Sequence, residues 1–144
     1  MTIFTEEERN AILAAIAEAE KNTSGEIRVF IDDHCHQSSP LDKAAYTFNQ
    51  LEMYNTKLRN GVLIYLSIQD RKFAIIGDTG IHDKVGDGFW HSTRDIIMEH
   101  LRTNKVTEGI IAGVREAGNA LSKHFPFEKS DQNELPNNLI FGNN

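Results

Sequence analysis

Apolar residues recur along this chain at spacings that change from segment to segment, and each spacing predicts an element. Ile12, Leu13 and Ile16 fall at helical intervals with Ala15 and Ala19 beside them, behind Thr5 and Glu8 at the separation of a capping box. Thr5 to Lys21 is therefore predicted as a first helix, its entry stapled by Phe4. Asn22 to Gly25 breaks the pattern, and Glu26 to Ile31 then alternates, with Ile27, Val29 and Ile31 on one face of a strand that ends on Asp32-Asp33. Ser39-Pro40 reads as an N-cap followed by proline in the first helical position, and Leu41, Ala44, Ala45, Phe48 and Leu51 continue a second helix to about Met53. Gly61 to Ile68 is apolar nearly throughout, as in a strand buried on both faces, and Gln69-Asp70 turns it back into Lys72 to Ile76 as a hairpin. Beyond an acidic loop, Phe89, Trp90, Ile96, Ile97, Met98 and Leu101 predict a third helix. Val106 to His124 predicts a fourth, stopped by Phe125-Pro126.

This order contains one strand-helix-strand unit and a sheet that needs cover on both faces, so the fold class is α/β, a three-layer α/β/α sandwich around a mixed sheet of about four strands. The chain is expected to be one domain over residues 1–144, a core over 1–126 and a tail over 127–144 packed on it, with Asn133-Glu134-Leu135-Pro136 anchoring the tail. In open sheets of this kind, sites gather outside the carboxyl ends of parallel strands. Asp32-Asp33 and Asp78 share such an end only if the first and third strands run the same way; a simple hairpin makes the third antiparallel to the second.

Composition narrows the function. The net charge of −6, from 21 acidic against 15 basic residues, argues against a nucleic-acid binder, which needs surplus Lys and Arg, and favours cations as small partners. The start MTIFTEEERN lacks the basic and apolar regions of a signal peptide, and no long uncharged apolar run could span a membrane, so a cytoplasmic location without membrane insertion is expected. Cys35 is the single cysteine, which excludes an internal disulfide and a Cys-rich zinc cage.

The stretch Gly77 to Gly88, GDTGIHDKVGDG, sets three carboxylates among four glycines. Asp78-Thr79-Gly80 matches the tripeptide of aspartic proteases, but those enzymes are all-β and pair two copies, and here one copy sits in a helix-rich chain. Cys35 lies between His34 and His36, yet no Arg follows to cradle a phosphate, and two imidazoles with one thiol lack a spaced partner for zinc. Neither Asp32 nor Asp78 has an Asp two residues on, as aspartyl-nucleophile phosphatases require. Closely spaced Asp residues among glycines do suit Ca²⁺, which takes six to eight oxygen ligands in flexible loops, including carbonyls and water. Asp78, Asp83 and Asp87 fit that composition, although Asp87 is equally placed to cap the third helix and Asp83 to be a solvated charge. Trp90 with Phe89 is expected to pack the third helix on the sheet.

Five blocks in order, SGEIRVFI, TKLRNGVLIYLSIQDRKFAIIGDTGI, VGDGFW, EGIIAGVREAGNALSKHFP and NELPNNLIFG, resemble the TPM domain family, sometimes called TPM phosphatases, in a stand-alone form, over Glu26 to Gly142. The resemblance implies an α/β/α sandwich in which a loop after the first strand crosses one after the last main strand, pinned by divalent cations. Its implied ligands are Asp32 or Asp33 on one side, and Asp78, Asp83, Asp87 and the Val85 carbonyl on the other. Many relatives carry Gly-Leu-Glu-Gly where this chain has Gly80-Ile81-His82-Asp83, which displaces the acid by one residue.

The expected function is a non-catalytic module that binds divalent metal, Ca²⁺ first with Mg²⁺ or Zn²⁺ as alternatives, whose ions order two loops and change the surface shown to a protein partner. The rival is a metal-assisted acid phosphatase acting on phosphate monoesters, with His82 or Arg59 assisting. Arg59-Asn60-Gly61 reads as a turn into the second strand, with Asn60 able to lend an oxygen to the site. A plain assembly domain with a solvated acidic loop is the third possibility.

Overall fold

A computed structural model describes residues 4–86, 88–127 and 139–142. Helix α1 (Glu6–Glu20) starts at the capping box: the Glu8 amide donates to Thr5 Oγ1 and the Thr5 amide to Glu8 Oε1, which satisfies two orphan donors of the first turn. Strand β1 (Glu26–Asp32) follows, and α2 (Pro40–Gln50) begins on Ser39, whose hydroxyl accepts from the Asp42 amide ahead of a first-turn proline. Strands β2 (Gly61–Ser67) and β3 (Lys72–Gly77) form the expected hairpin.

The acidic stretch is not a loop, as its glycines had implied. It holds a short helix, α3 (Thr79–Val85), because Asp78 is extended and its carboxylate accepts from the Thr79 amide. Helix α4 (His91–Arg102) begins with Trp90 at its N-cap position; Asp87, expected as a cap or a ligand, lies outside the described residues. Helix α5 (Val106–His124) keeps its expected bounds, and β4 (Leu139–Phe141) adds a short strand the hydrophobic pattern had not predicted. Asn133 to Pro136 lies outside the described residues.

The four strands run in the order β3-β2-β1-β4, with β1 parallel to both β2 and β4, and β2 antiparallel to β3. Ile27, Val29 and Ile31 of β1 and Val62, Ile64 and Leu66 of β2 face one way, into a core shared with Ile12 and Ile16 of α1, Ile97 of α4 and Val114 of α5. Leu63, Tyr65 and Ala74 face the other way, onto Ala44 and Phe48 of α2. All seven residues of β2 are buried, which is why it reads as an unbroken apolar run. Fully burying an Ile stabilises by roughly 1.5–3 kcal/mol, so one stripe of α1 fixes that helix to the sheet.

The hairpin decides where the carboxylates go. Asp32 pairs with Ser67, which pairs with Lys72, whereas Gly77 pairs with Val62 and the Asp78 amide donates to the Gly61 carbonyl at 2.9 Å. Six residue steps of roughly 3.3 Å separate Gly61 from Ser67, so Asp32-Asp33 and Asp78 lie at opposite ends of the sheet, about 20 Å apart. The hairpin alternative holds, and the crossing of these carboxylates that the resemblance implied is not seen.

Candidate functional site

Antiparallel pairing brings the segment that enters β2 beside the one that leaves β3, and there Arg59 meets Asp78. Arg59 Nε donates to Asp78 Oδ2 at 2.7 Å and Nη2 to Oδ1 at 2.9 Å, the bidentate fork that guanidinium and carboxylate geometry favours. Oδ1 also takes the Thr79 amide at 2.7 Å, and the Asp78 side chain is only 4% exposed. Hydrogen bonding to the carboxylate pushes the Arg59 guanidinium up from its ordinary value.

The backbones touch one residue further on. The Gly80 amide donates to the Arg59 carbonyl at 2.7 Å, and a Cβ on Gly80 would lie 2.0 Å from the Leu58 oxygen and 2.5 Å from the Arg59 oxygen. Only glycine permits that approach. The crossing thus joins the loop after β3 to the segment before β2, not to the loop after β1 as the resemblance had implied. A cleft of about 430 Å³ opens beside it, with Arg59, Asp78 and His82 on its walls.

At the far end of α3 the Gly86 amide donates to the His82 carbonyl at 2.7 Å, and Gly86 and Gly88 both take positive φ, +78° and +79°. A Cβ on Gly86 would meet nothing, so the left-handed turn, not space, asks for glycine there. Asp83 is exposed and Val85 half-buried against the core. The last carbonyls of a helix have no intrahelical donor and carry its negative end. Asp78 and Asp83 are five positions apart, about 7.5 Å of rise and roughly 140° of rotation in helical geometry, so they do not form one chelating face.

At the opposite end of the sheet Asp32 is 1% exposed. Tyr65 donates its hydroxyl to Asp32 Oδ2 at 2.9 Å, and Lys43 Nζ stands 3.8 Å from the same oxygen. Burial first, then this hydrogen bond, pushes the Tyr65 phenol up. Asp32 Oδ1 is buried with no hydrogen-bond partner among the described residues and faces Gly142, where a Cβ would lie 1.8 Å away. Asp33 is half-buried, its carbonyl accepting from the Gln69 amide at 2.9 Å.

Asp70, which sequence reasoning treated only as a turn residue, is the busiest carboxylate at this end. It accepts from the Cys35 amide at 2.7 Å and the Ser67 hydroxyl at 2.8 Å, and His34 Nδ1 lies 3.2 Å away. The Cys35 amide, then His34 and Ser67, hold it down at about 2. Two positions singled out in the sequence are packed inside. Asn60 is fully buried with its Oδ1 unpartnered among the described residues, and Trp90 is buried against the sheet, Phe89 meeting it edge-on at 5.0 Å. Among the described residues, no group of three or more His, Cys, Asp or Glu side chains is arranged to hold a metal ion, and no helix is long and apolar enough to cross a membrane.

The fold has solved relatives. The NMR structure of BA42 protein from the psychrophilic bacterium Bizionia argentinensis superposes with a TM-score of 0.90 at 45% identity, over 98% of this chain and 97% of that one. The N-terminal domain of a P. gingivalis protein gives 0.69 at 20% identity over 88% and 83%, and that of cg2496 from Corynebacterium glutamicum 0.66 at 13% over 99% and 83%. The last two show likeness of fold alone. No curated protein matches in sequence. The TPM domain profile matches residues 1–120, and with it the chain belongs to the TPM domain family.

Proposed function

We propose that this chain is a non-catalytic module that binds a divalent cation, Ca²⁺ before Mg²⁺ or Zn²⁺, and that the ion orders the turn between α3 and α4. The observation that carries this is the carboxyl end of α3, where the negative end of the helix runs into a turn with positive φ at Gly86 and Gly88 and an exposed Asp83. Asp83 and the Val85 carbonyl supply oxygen there, and Asp87 enters by its position in the sequence between the two glycines. Backbone oxygens, carboxylates and water are the ligands Ca²⁺ takes in flexible loops.

Asp78 plays a different part from the one first expected. With three donors on its two oxygens it holds the other end of α3 against the Arg59 segment, so the ion acts on a helix already anchored at its start. A cation bound only by the ordered turn stabilises the fold by linkage and changes the surface offered to a protein partner. Calorimetric titration with Ca²⁺ tests this: the parent protein gives a saturable heat, and Asp83→Ala and Asp87→Ala each weaken binding about tenfold or more, about 1.4 kcal/mol. No heat from the parent at millimolar Ca²⁺ removes the proposal.

A metal-assisted phosphatase is favoured by one observation, that Arg59 and His82 line the same cleft as Asp78. Turnover of a phosphate monoester that follows added metal and disappears in Asp78→Ala would put it first.

A further inference from the structure

The cleft beside the crossing has features that a cation site does not use. Its volume of about 430 Å³ falls within the range of small-molecule sites, roughly 300–1,000 Å³, which combine an apolar lining with a few placed polar groups. Ala45 and Phe48 of α2 and Ile76 of β3 supply the apolar lining. The two charged residues on its wall differ in what they have left to offer. Asp78 is closed, since both oxygens already accept hydrogen bonds and the side chain is 4% exposed. Arg59 is open: its side chain is 47% exposed, Nε and Nη2 are engaged, and Nη1 has no hydrogen bond among the described residues.

Arg59 also adopts φ +53°, a left-handed conformation that costs a non-glycine residue of order 1–3 kcal/mol and clusters at ligand sites. The Gly80 amide on its carbonyl and its own amide on the Thr56 carbonyl hold it in that conformation. A strained, half-exposed guanidinium with a spare donor, over an apolar surface, selects a ligand that brings an acceptor and hydrocarbon. Asp78 already offsets the guanidinium charge, and the net charge of −6 acts at long range, where salt screens it beyond roughly 8–10 Å, so the spare Nη1 donor and not net attraction selects the ligand.

We propose that this cleft binds a small apolar carboxylate, its oxygens on Arg59 and its hydrocarbon body against Phe48 and Ile76, independently of any cation at the turn after α3. The probe is 3-phenylpropionate, titrated in metal-free buffer and followed by amide chemical shifts. Saturable shifts at Asn49, Tyr54, Arg59 and Ile76 are expected, and 3-phenylpropionamide should bind about five- to tenfold more weakly, because charge-assisted hydrogen bonds are roughly twice as strong as neutral ones. Ala45→Leu, which fills the cleft from α2 and leaves the Arg59–Asp78 fork in place, should lose binding at an unchanged melting temperature. Should that variant not fold, Ala45→Met and the acid-against-amide comparison on the parent protein decide. Equal binding of acid and amide, binding retained by the filled variant, or no shifts up to about 20 mM acid overturns the proposal. Hydrolysis of phenyl phosphate in the same cleft with added metal would also overturn it, in favour of the phosphatase.

Discussion

Asp32 and Asp78 each leave a strand and are each nearly buried, yet the two ends of the sheet compensate them differently. At Asp78 a guanidinium forks onto both oxygens and the helix amide of Thr79 adds a third donor. At Asp32 one oxygen takes a phenol with a lysine 3.8 Å away, and the other faces Gly142 without a donor among the described residues. A buried carboxylate removed from water costs several kcal/mol unless its lone pairs and charge are met. Asp78 is therefore a fastener, tying the segment before β2 to the one after β3. Asp32 is a charge held in place by its surroundings and fastens little.

Substitutions that strike the crossing separate the two ends most sharply. Gly80→Ala should be the most damaging, at about 4 kcal/mol or more, because the new Cβ would lie 2.0 Å from the Leu58 oxygen, which is backbone and cannot swing aside. Helix propensity alone would gain about 1 kcal/mol from the same change, so thermal melting reads the sign directly. Asp78→Ala comes next, at about 2–4 kcal/mol, since it removes both the cap and the partner of Arg59. If the fork is the fastener, adding Arg59→Ala to it costs little more, and additive losses in denaturant melts would contradict that.

At the other end the effects are smaller. Tyr65→Phe deletes the hydroxyl donor to Asp32 and should cost about 1.5–3 kcal/mol. A neutral outcome would mean that Lys43 alone suffices there. Asp70 gives the smallest effect and a pH signature. Its carboxyl is lowered from 3.8 to about 2 in the fold, so its contribution to stability is complete above 3.8 and is lost as pH falls through that interval. Asp70→Asn should flatten this part of the acid-melting profile while leaving the crossing intact, and an unchanged slope would deny Asp70 its clamp on the Cys35 loop.

The sequence carried most of the fold, and particular residues explain what it hid. Thr5 with Glu8, Ser39-Pro40 and the unbroken run of β2 each announce an element by local chemistry, and each element formed where it was expected. Helix α3 was hidden because Gly77, Gly80, Gly86 and Gly88 dominate the composition of a stretch whose helix is only seven residues long. The glycines serve a close crossing at Gly80 and a left-handed turn at Gly86. Strand β4 has three residues, too few for a period to show.

The site was less legible, and the cause is direction. The hairpin at Gln69-Asp70 implied an antiparallel third strand, whereas the family resemblance implied crossing loops after β1 and β3; the observed register follows the hairpin and moves Asp78 away from Asp32. The same register was the available signal for Arg59. In a hairpin, the residue two before Gly61 must lie near the residue just after Gly77, and opposite charges at those places predict the fork. Asp70 was hidden because its partners, His34 and Cys35, lie in a loop far away in sequence.

The most direct measurement maps Ca²⁺ onto the amide spectrum of the whole chain, residue by residue. Shifts that saturate and stay within residues 82–91 would place the ion at the turn after α3 and leave Asp32, Asp33 and Asp70 untouched at the far end of the sheet. Shifts centred on Asp32-Asp33, or a spectrum indifferent to millimolar Ca²⁺, would contradict it.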